Sequence, residues 1–321
     1  MKFNGFIAAL LFAILLAWFL PNGPELFPLK TITDIGIGLI FFFYGLKLSP
    51  AEFKLGIYNY KAHILIQLST FVLFPLLVLA CLPLFEGGSG SDLWIALFFL
   101  GALPSTVSSS VVMVSLAKGN IPTAIFNASL SGLVGIVVTP LWMSIFLKAS
   151  DDFQLGNVVQ KLVVQVFLPL IIGLFLQKFF GELARKNKSK ISFFDKTVIV
   201  LIVYSSFCGA FTAQLFSTVS LQDLVKLALI VITLFFIVYF GIGKISQLLG
   251  FSTEDEITAK FAGTKKSLVH GSVMVKIIFG NSATNAIFLL PIMLYHILQL
   301  LVIAVFAEKY SKRQKVVEER A

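Results

Sequence analysis

The sequence predicts an all-α polytopic membrane protein of ten transmembrane helices, built as two inverted halves of five. The chain is 58% hydrophobic and only 13% charged, which makes it more apolar than a water-soluble protein of 321 residues. Apolar runs of bilayer-spanning length recur from Phe6 to Phe306, with short polar connections between them. Short words of the first half also recur in the second half at one constant spacing.

The apolar runs define ten predicted spans. Lys2 precedes the first run, but further spans follow without a small-residue cleavage site, so we interpret this run as a membrane helix and not as a signal peptide. No connection is long enough for a soluble domain, and residues 1–321 are therefore predicted to form a single membrane domain. The spans are predicted at residues 5–20, 31–48, 60–82, 92–117, 121–147, 157–180, 195–216, 223–243, 255–279 and 284–307.

The charges of the connections predict an orientation. Assigning alternate connections to opposite sides collects the basic residues on one side, which faces the cytoplasm in most membrane proteins. Both termini are then cytoplasmic, and we expect an integral protein of a bacterial inner membrane. This topology explains the net charge of +9, so no nucleic-acid partner is expected. The basic side carries Lys2, Lys47, Lys54, Lys61, Lys118, Arg185, Lys186, Lys188, Lys190, Lys244 and residues 309–320, and the other side carries Glu25, Glu86, Asp92, Asp151, Asp152 and Asp223.

The repeated words indicate an ancient duplication. They match in register without a gap, which chance similarity between apolar helices explains less well. Because five is an odd number of helices, the second half is inverted in the membrane relative to the first, as in many secondary transporters. We predict repeat one at residues 1–160 and repeat two at residues 161–321. The pairs are Val112-Met113-Val114 with Val273-Met274-Val275, Gly119-Asn120 with Gly280-Asn281, Thr123 with Thr284, and Asp34 with Asp195.

The fourth predicted span contains a candidate binding segment. Pro104 removes a backbone donor and disfavours helix at Leu103, so the span is expected to be interrupted here. Non-helical backbone persists inside a membrane only where it lines a cavity or is buried in protein. The alternative is a packing face, because small hydroxyl residues also let helices approach closely. The candidate substrate- or ion-binding residues are Pro104, Ser105, Thr106, Ser108, Ser109 and Ser110.

The ninth predicted span is interrupted at the equivalent place and carries two adjacent ammonium groups. A lysine at the bilayer centre costs about 3 kcal/mol, which favours a functional role for Lys265 and Lys266. Alternatively, the interruption lies near the cytoplasmic surface and water solvates both lysines. Paired interruptions predict a midplane binding site, and the positive half-helix ends favour an anion. The candidates are Gly263, Thr264, Lys265, Lys266, Ser267 and His270, the last of which is a proton relay or a structural histidine.

Polar residues of the fifth span complete the candidate site. Asn127 and Ser131 are spaced i and i+4 and share one helix face. Their oxygens, with that of Ser108, suit a hard cation such as sodium, although packing also explains them. We expect no cofactor other than a coupling ion, which is sodium or a proton. Asp34 and Asp195 are predicted to be helix N-caps.

Three segments carry a family resemblance. They are Ser115-Leu116-Ala117-Lys118-Gly119-Asn120 at the end of the fourth span, Thr139-Pro140-Leu141 in the fifth, and the interrupted ninth span. On these segments the chain resembles the bile acid:sodium symporter superfamily over essentially its full length. The word Thr264-Lys265-Lys266-Ser267-Leu268 resembles the divergent bile-acid-symporter-like branch.

The resemblance implies a core domain of spans three to five and eight to ten, in which the discontinuous helices four and nine cross. Spans one, two, six and seven would form a panel domain, and transport would follow alternating access. In sodium-coupled members a sodium site uses a Ser of helix four, an Asn and hydroxyls of helix five, and a Glu of helix nine. Ser108 to Ser110, Asn127 and Ser131 match the first parts of this site, but Phe261 precedes Ala262-Gly263 and the Glu is absent.

This departure predicts that at least one of Lys265 and Lys266 replaces the coupling cation, since an ammonium group neutralises the same partial charges. Adjacent residues differ by about 100° around a helix, so the two lysines are not expected to contact the same oxygens. The sequence favours a secondary carrier for a small organic anion, independent of sodium, in the lipid bilayer. A cation/proton exchanger of the same fold and a non-transporting membrane regulator are the alternatives. An enzyme is not expected, because the sequence has no H-E-x-x-H or G-x-S-x-G word and no paired intramembrane Asp.

Overall fold

The computed structural model describes residues 5–48, 58–88, 91–106, 108–147, 155–214, 219–280 and 284–318. These residues form helices and short connections, with no strand among them. We number the main helices α1 (Gly5–Phe19), α2 (Leu29–Lys47), α3 (Tyr60–Ala80), α4 (Asp92–Ala102), α5 (Ser108–Leu116), α6 (Ile121–Leu147), α7 (Gly156–Lys186), α8 (Lys188–Thr212), α9 (Leu221–Leu248), α10 (Thr253–Gly263), α11 (Leu268–Phe279) and α12 (Asn285–Glu318).

The described helices identify an integral membrane protein. Seven of them, α2, α3, α6, α7, α8, α9 and α12, are long and apolar enough to cross a bilayer, and α1 and α4 are apolar but shorter. Large apolar side chains point outward, as at Trp18, which is 67% exposed, and Phe175, which is 77% exposed. Such a surface is unfavourable in water and favourable in hydrocarbon. The protein is therefore a polytopic helical membrane protein.

Two of the predicted spans are interrupted in the structure. α4 ends at Ala102 and α5 begins at Ser108, and we name the non-helical residues 103–106 the first break. α10 ends at Gly263 and α11 begins at Leu268, and residues 264–267 form the second break. Pro104 accounts for the first break, since it cannot donate to the carbonyl of Leu100.

Two helices contain a π-helical turn that is followed by a proline. In α3 the turn is Ser69–Leu73 and the proline is Pro75, and in α7 the turn is Val163–Phe167 and the proline is Pro169. The N–H of Phe74 reaches back five residues to the Ser69 carbonyl. The Thr70 carbonyl therefore has no helical donor, because the next residue in that register, Pro75, lacks an N–H.

The helices group into two compact units, and each unit draws on both halves of the chain. Unit 1 comprises the described residues of Met1–Ser49, Met143–Leu224 and Val269–Leu290. Unit 2 comprises those of Pro50–Trp142, Val225–Leu268 and Pro291–Ala321. Unit 1 thus holds predicted spans one, two, six and seven, and unit 2 holds spans three and four and most of spans five, eight and ten.

α11 departs from the arrangement that the family resemblance implies. From Val269 onward it groups with unit 1, whereas the whole ninth span was expected in the core domain. Contacts with α2 explain this. The Lys276 ammonium lies 2.7 Å from an Asp34 carboxylate oxygen, and the His270 ring contacts the rings of Phe41 and Tyr44.

The prediction that Asp34 and Asp195 cap helices is wrong. α2 already begins at Leu29 and α8 at Lys188, so both aspartates lie inside their helices. The carboxylates instead pair with lysines of unit 1, Asp34 with Lys276 and Asp195 with Lys47 at 3.5 Å. An ammonium group thus lies near each carboxylate, and both helices continue through the aspartate positions.

Candidate functional site

Unit 2 brings the two breaks into direct contact. The Ser267 N–H donates to the Pro104 carbonyl at 2.9 Å, and the Ser105 hydroxyl donates to the Ala262 carbonyl at 2.7 Å. Each break therefore satisfies backbone groups that the other leaves open. The segments that the sequence predicted to be interrupted lie side by side.

The end of α4 leaves carbonyl groups that need donors, as every helix end does. The Ala102 carbonyl accepts from the Thr139 hydroxyl of α6 at 2.8 Å. The neighbouring carbonyls of Gly101 and Leu103 both accept from the side chain of Lys266. A lysine thus completes the hydrogen bonding of this helix end and interacts favourably with its negative dipole.

The Lys266 ammonium is enclosed by oxygen atoms. It donates to Gly101 at 2.6 Å, to Thr70 at 2.8 Å and to Leu103 at 2.9 Å, and we name these three carbonyl oxygens the carbonyl cage. The side chain is 1% exposed, and its nitrogen lies 4.2 Å from the centre of the Phe74 ring. An ammonium group has three donors, so the cage uses all of them.

The Lys265 ammonium has different partners. It donates to the Ser109 carbonyl at 2.6 Å and lies 3.4 Å from the Ser109 hydroxyl. The Thr106 hydroxyl links this serine to Ser110, at 2.7 Å from one oxygen and 3.0 Å from the other. Lys265 is therefore placed beside hydroxyl groups at the positive, N-terminal end of α5.

Residues of α12 hold the second break in shape. Gln299 accepts from the Lys266 N–H at 2.9 Å and donates to the Lys266 carbonyl at 2.9 Å, and we name this pair of bonds the Gln299 clamp. The Tyr295 hydroxyl donates to the Thr264 carbonyl. The Gln299 amide also lies 3.0 Å from the His296 ring. Sequence reasoning missed all three side chains, and a lone Gln inside the apolar run 297–306 was the available signal.

Ser131 and Gly135 of α6 support the first break. The Ser131 hydroxyl accepts from the Ser105 N–H at 2.9 Å. A Cβ on Gly135 would lie 2.6 Å from the Pro104 ring, so this position must lack a side chain. α6 therefore fixes the first break at two points one turn apart.

Asn127 faces α3. Its side-chain nitrogen lies 2.7 Å from His63 Nδ1 and donates to the Thr123 carbonyl at 2.9 Å. Its side-chain oxygen accepts from Gln67 Nε2 at 3.1 Å. The structure thus joins Asn127 to His63 and Gln67, which the sequence did not single out. Among the described residues, Asn127 makes no side-chain hydrogen bond to Ser131 or Ser109.

The remaining predicted residues have varied surroundings. Gly263 packs against Ile242, which a Cβ would approach to 2.7 Å, and the Thr264 hydroxyl donates to the Lys260 carbonyl at 2.6 Å. His270 belongs to unit 1, in which its ring contacts those of Phe41 and Tyr44. The side chain of Ser108 lies outside the described residues.

The word Lys118-Gly119-Asn120 has a structural role. Asn120 donates from its side chain to Asp255 at 2.8 Å, and its N–H donates to the Thr258 hydroxyl at 2.8 Å. Gly119 lies so close to Thr258 that a Cβ would approach its hydroxyl to 2.9 Å. This word therefore ties the end of α5 to α10 within unit 2.

A polytopic bundle with two interrupted helices, joined at their breaks around buried ammonium groups, defines a membrane transport protein. The chain matches the model of the SBF-like CPA transporter family over residues 4–312, and it belongs to this family. The resemblance to the bile acid:sodium symporter superfamily is thereby confirmed, and the protein is a member of a transporter family.

Relatives of known name are similar over most of their length. An uncharacterized protein of Pseudomonas aeruginosa, PA2026, is 38% identical over 97% of this chain and 94% of its own. YfeH of Escherichia coli is 32% identical over 96% of this chain and 93% of its own. A protein of Rattus norvegicus named sodium/bile acid cotransporter 7 is 30% identical over 87% of this chain and 83% of its own.

Proposed function

We propose that this protein is a secondary active transporter that moves a small organic anion by alternating access and does so without sodium. The two breaks form its binding site. The observation that carries the proposal is the carbonyl cage, in which three backbone oxygens surround the Lys266 ammonium. We infer that this tethered ammonium group replaces a bound monovalent cation.

The cage supports independence from sodium. Three carbonyl oxygens around one positive centre are the ligand type that sodium also uses, and the Lys266 ammonium already neutralises them. The oxygens of the candidate sodium site have protein donors as well, Asn127 from Gln67 and Ser131 from the Ser105 N–H. A sodium ion at that site would have to displace these donors.

The surroundings of Lys265 support an anionic substrate. Among the described residues its partners are a backbone carbonyl and a hydroxyl group, and no carboxylate. The ammonium charge is therefore not neutralised by a fixed negative charge. The positive end of α5 adds to it, and the hydroxyl groups of Thr106, Ser109 and Ser110 can donate to an anion.

The names of relatives agree with this class of substrate. A bile acid, which the name of the Rattus norvegicus relative specifies, is an organic anion at neutral pH. We propose the same class of substrate for this chain. We do not propose sodium coupling, because Lys265 and Lys266 lie in the ninth span here.

The two units support alternating access. The seven long helices account for seven spans. Three further spans are α1 and the interrupted pairs α4–α5 and α10–α11, which brings the total to ten. We propose that these form two inverted repeats, residues 1–160 and 161–321, within one transport domain. The relatives from Pseudomonas aeruginosa and Escherichia coli support placement in a bacterial inner membrane. From the basic residues of alternate connections we propose that both termini are cytoplasmic.

Uptake into proteoliposomes tests the proposal, with radiolabelled cholate as the probe. We expect uptake that is unchanged when N-methylglucamine replaces sodium and that varies with pH, because a buried ammonium group can release a proton during the cycle. The double substitution Lys265→Gln, Lys266→Asn should remove the pH response. Strict sodium dependence of the wild type, with unchanged uptake in the double variant, would falsify the substitution of lysine for sodium.

The same buried ammonium groups favour a cation/proton exchanger as the second candidate. In that case vesicles loaded with a pH-sensitive dye should change their internal pH when sodium or potassium is added without any organic anion. A chain that moves neither anions nor protons in these two assays would be a non-transporting membrane regulator.

A further inference from the structure

The orientation of the Gln299 amide is fixed by its partners. The Lys266 N–H can only donate, so the atom of Gln299 that faces it at 2.9 Å is the oxygen. The Gln299 nitrogen then has two hydrogens for the two remaining partners. One is donated to the Lys266 carbonyl at 2.9 Å, and the other points at His296 Nδ1, which lies 3.0 Å away.

This arrangement determines the protonation state of His296. Because the Gln299 nitrogen has no free lone pair, His296 Nδ1 must accept, and the ring is neutral with its proton on Nε2. A doubly protonated ring would place an N–H against an N–H. Rotating the amide does not solve this conflict, because it would turn the Gln299 nitrogen toward the Lys266 N–H.

From this geometry we infer that His296 is a proton-binding residue that controls the second break, and that the Gln299 clamp closes only when His296 is neutral. Gln299 acts as a positioning residue, because it holds the Lys266 backbone and thereby the side chain that fills the carbonyl cage. The role in transport rests on the proposed function, but the coupling between proton binding and the clamp does not.

The charges around His296 strengthen the coupling. His296 is partly exposed on α12, whereas Gln299 is fully buried. The Lys265 ammonium acts on His296 electrostatically, and Lys266 is the residue that the clamp holds. A proton on His296 therefore adds a second positive charge beside Lys265 and favours release of a proton or capture of an anion there.

The sign of the effect follows from proton linkage. The closed clamp requires the neutral ring, and the open clamp allows the charged ring, so the open state binds one more proton. Lower pH therefore favours the open clamp, and higher pH favours the closed clamp.

Amide hydrogen exchange of the full-length protein in nanodiscs tests this without any substrate. The protection of the peptide around residues 262–270 is measured between about pH 5 and pH 8, the range in which histidine changes its charge, after correction for the chemical exchange rate. We expect the protection of the Lys266 N–H to fall about tenfold as the pH decreases, which is the loss of one ordinary hydrogen bond.

Two variants and one control make the test specific. His296→Gln keeps an acceptor for the Gln299 nitrogen but does not titrate, so the step with pH should vanish and protection should stay high. Gln299→Leu should give low protection at every pH. His63→Gln, which changes a histidine on α3, should retain the step. A wild type without the step, or a His296→Gln variant that keeps it, overturns the inference.

A second measurement serves if either variant fails to fold. The chain has three histidines, so ring nitrogen NMR of histidine-labelled wild type can be assigned with His63→Gln and His270→Gln. We expect the His296 signal of the Nε2-protonated tautomer at high pH, and the Nδ1-protonated tautomer would refute the inference. Neither measurement involves transport, so a protein that shows the step but carries no anion refutes the proposed function alone.

Discussion

The Lys266 side chain donates to the Thr70 carbonyl at 2.8 Å, and this carbonyl has no donor within its own helix. The π-turn of α3 directs the Phe74 N–H to Ser69, and Pro75 has no N–H to offer. A residue of the second break thus satisfies a backbone group of α3. The ammonium group is consequently part of the helix packing of unit 2 as well as part of the candidate site.

Replacing Lys266 by Met should destabilise the protein strongly. Met fills a similar volume but leaves the three oxygens of the carbonyl cage without this donor, and each buried unsatisfied acceptor costs about 1–3 kcal/mol. We expect a total loss of about 3 kcal/mol or more, measured as a lower midpoint of thermal unfolding in detergent. Lys244→Met, at an exposed position of α9, is the matched control and should leave the midpoint nearly unchanged. Equal midpoints of the two variants would contradict the role of the cage.

Asn127→Leu should abolish transport without preventing membrane insertion. Leu inserts more readily than Asn, but it cannot bond to His63 and Gln67, and we expect a loss of stability of about 1–3 kcal/mol. Uptake and membrane-fraction yield are measured on the same preparations. Asn187→Leu, an equal change at a partly exposed residue after α7, should transport normally. Full activity of Asn127→Leu would mean that the side chain only packs.

A methyl group at Gly173 should disrupt unit 1. A Cβ there would lie 2.2 Å from the Phe42 carbonyl oxygen, and a Cβ on Gly45 would lie 2.3 Å from the Leu170 carbonyl oxygen, so the backbones of α2 and α7 must separate. Overpacking of this kind costs about 1–3 kcal/mol, and Gly173→Ala should lower the unfolding midpoint. Gly241→Ala has no atom within 4 Å of its new Cβ and should be neutral or slightly stabilising. A tolerated Gly173→Ala with an unchanged midpoint would show that the helices are farther apart.

The Asp34–Lys276 pair should contribute modestly to stability. The two side chains are 31% and 11% exposed and their charged atoms lie 2.7 Å apart, so screening by solvent limits the coupling to about 1 kcal/mol. A double-mutant cycle with Asp34→Asn and Lys276→Gln measures it by chemical denaturation. The exposed pair of Lys312 and Glu308 is the control and should show no measurable coupling. Equal values for the two cycles would remove any special role of the Asp34–Lys276 pair.

The two breaks could be predicted from sequence because their causes are local. Pro104 cannot continue a helix, and adjacent lysines at 265 and 266 cannot face lipid, whatever the rest of the fold does. The roles of Asp34 and Asp195 were predicted wrongly, because the causes of these roles are not local. Their role depends on Lys276 and Lys47, which only the packing of unit 1 brings near.

The partners of the candidate residues could not be predicted in the same way. Gln299 and His63 are single polar residues in apolar spans, and such residues serve equally well in packing. Their importance follows from distances to Lys266 and Asn127, which are far away in the sequence. The π-turn of α3 is a similar case, although Pro75 in mid-span signalled an irregular helix.

The missing N–H of Pro75 has a consequence for biosynthesis. Thr70 leaves the ribosome 196 residues before Lys266, and α3 enters the bilayer with an acceptor that no residue made so far is positioned to satisfy. The carbonyls of Gly101 and Leu103 depend on the same lysine, which is synthesised 165 and 163 residues later. Unmet carbonyls are expensive in hydrocarbon, so the nascent first half needs water or the insertion machinery at these sites. We therefore expect a chain truncated before residue 266 to be incompletely folded and to be recognised by membrane quality control.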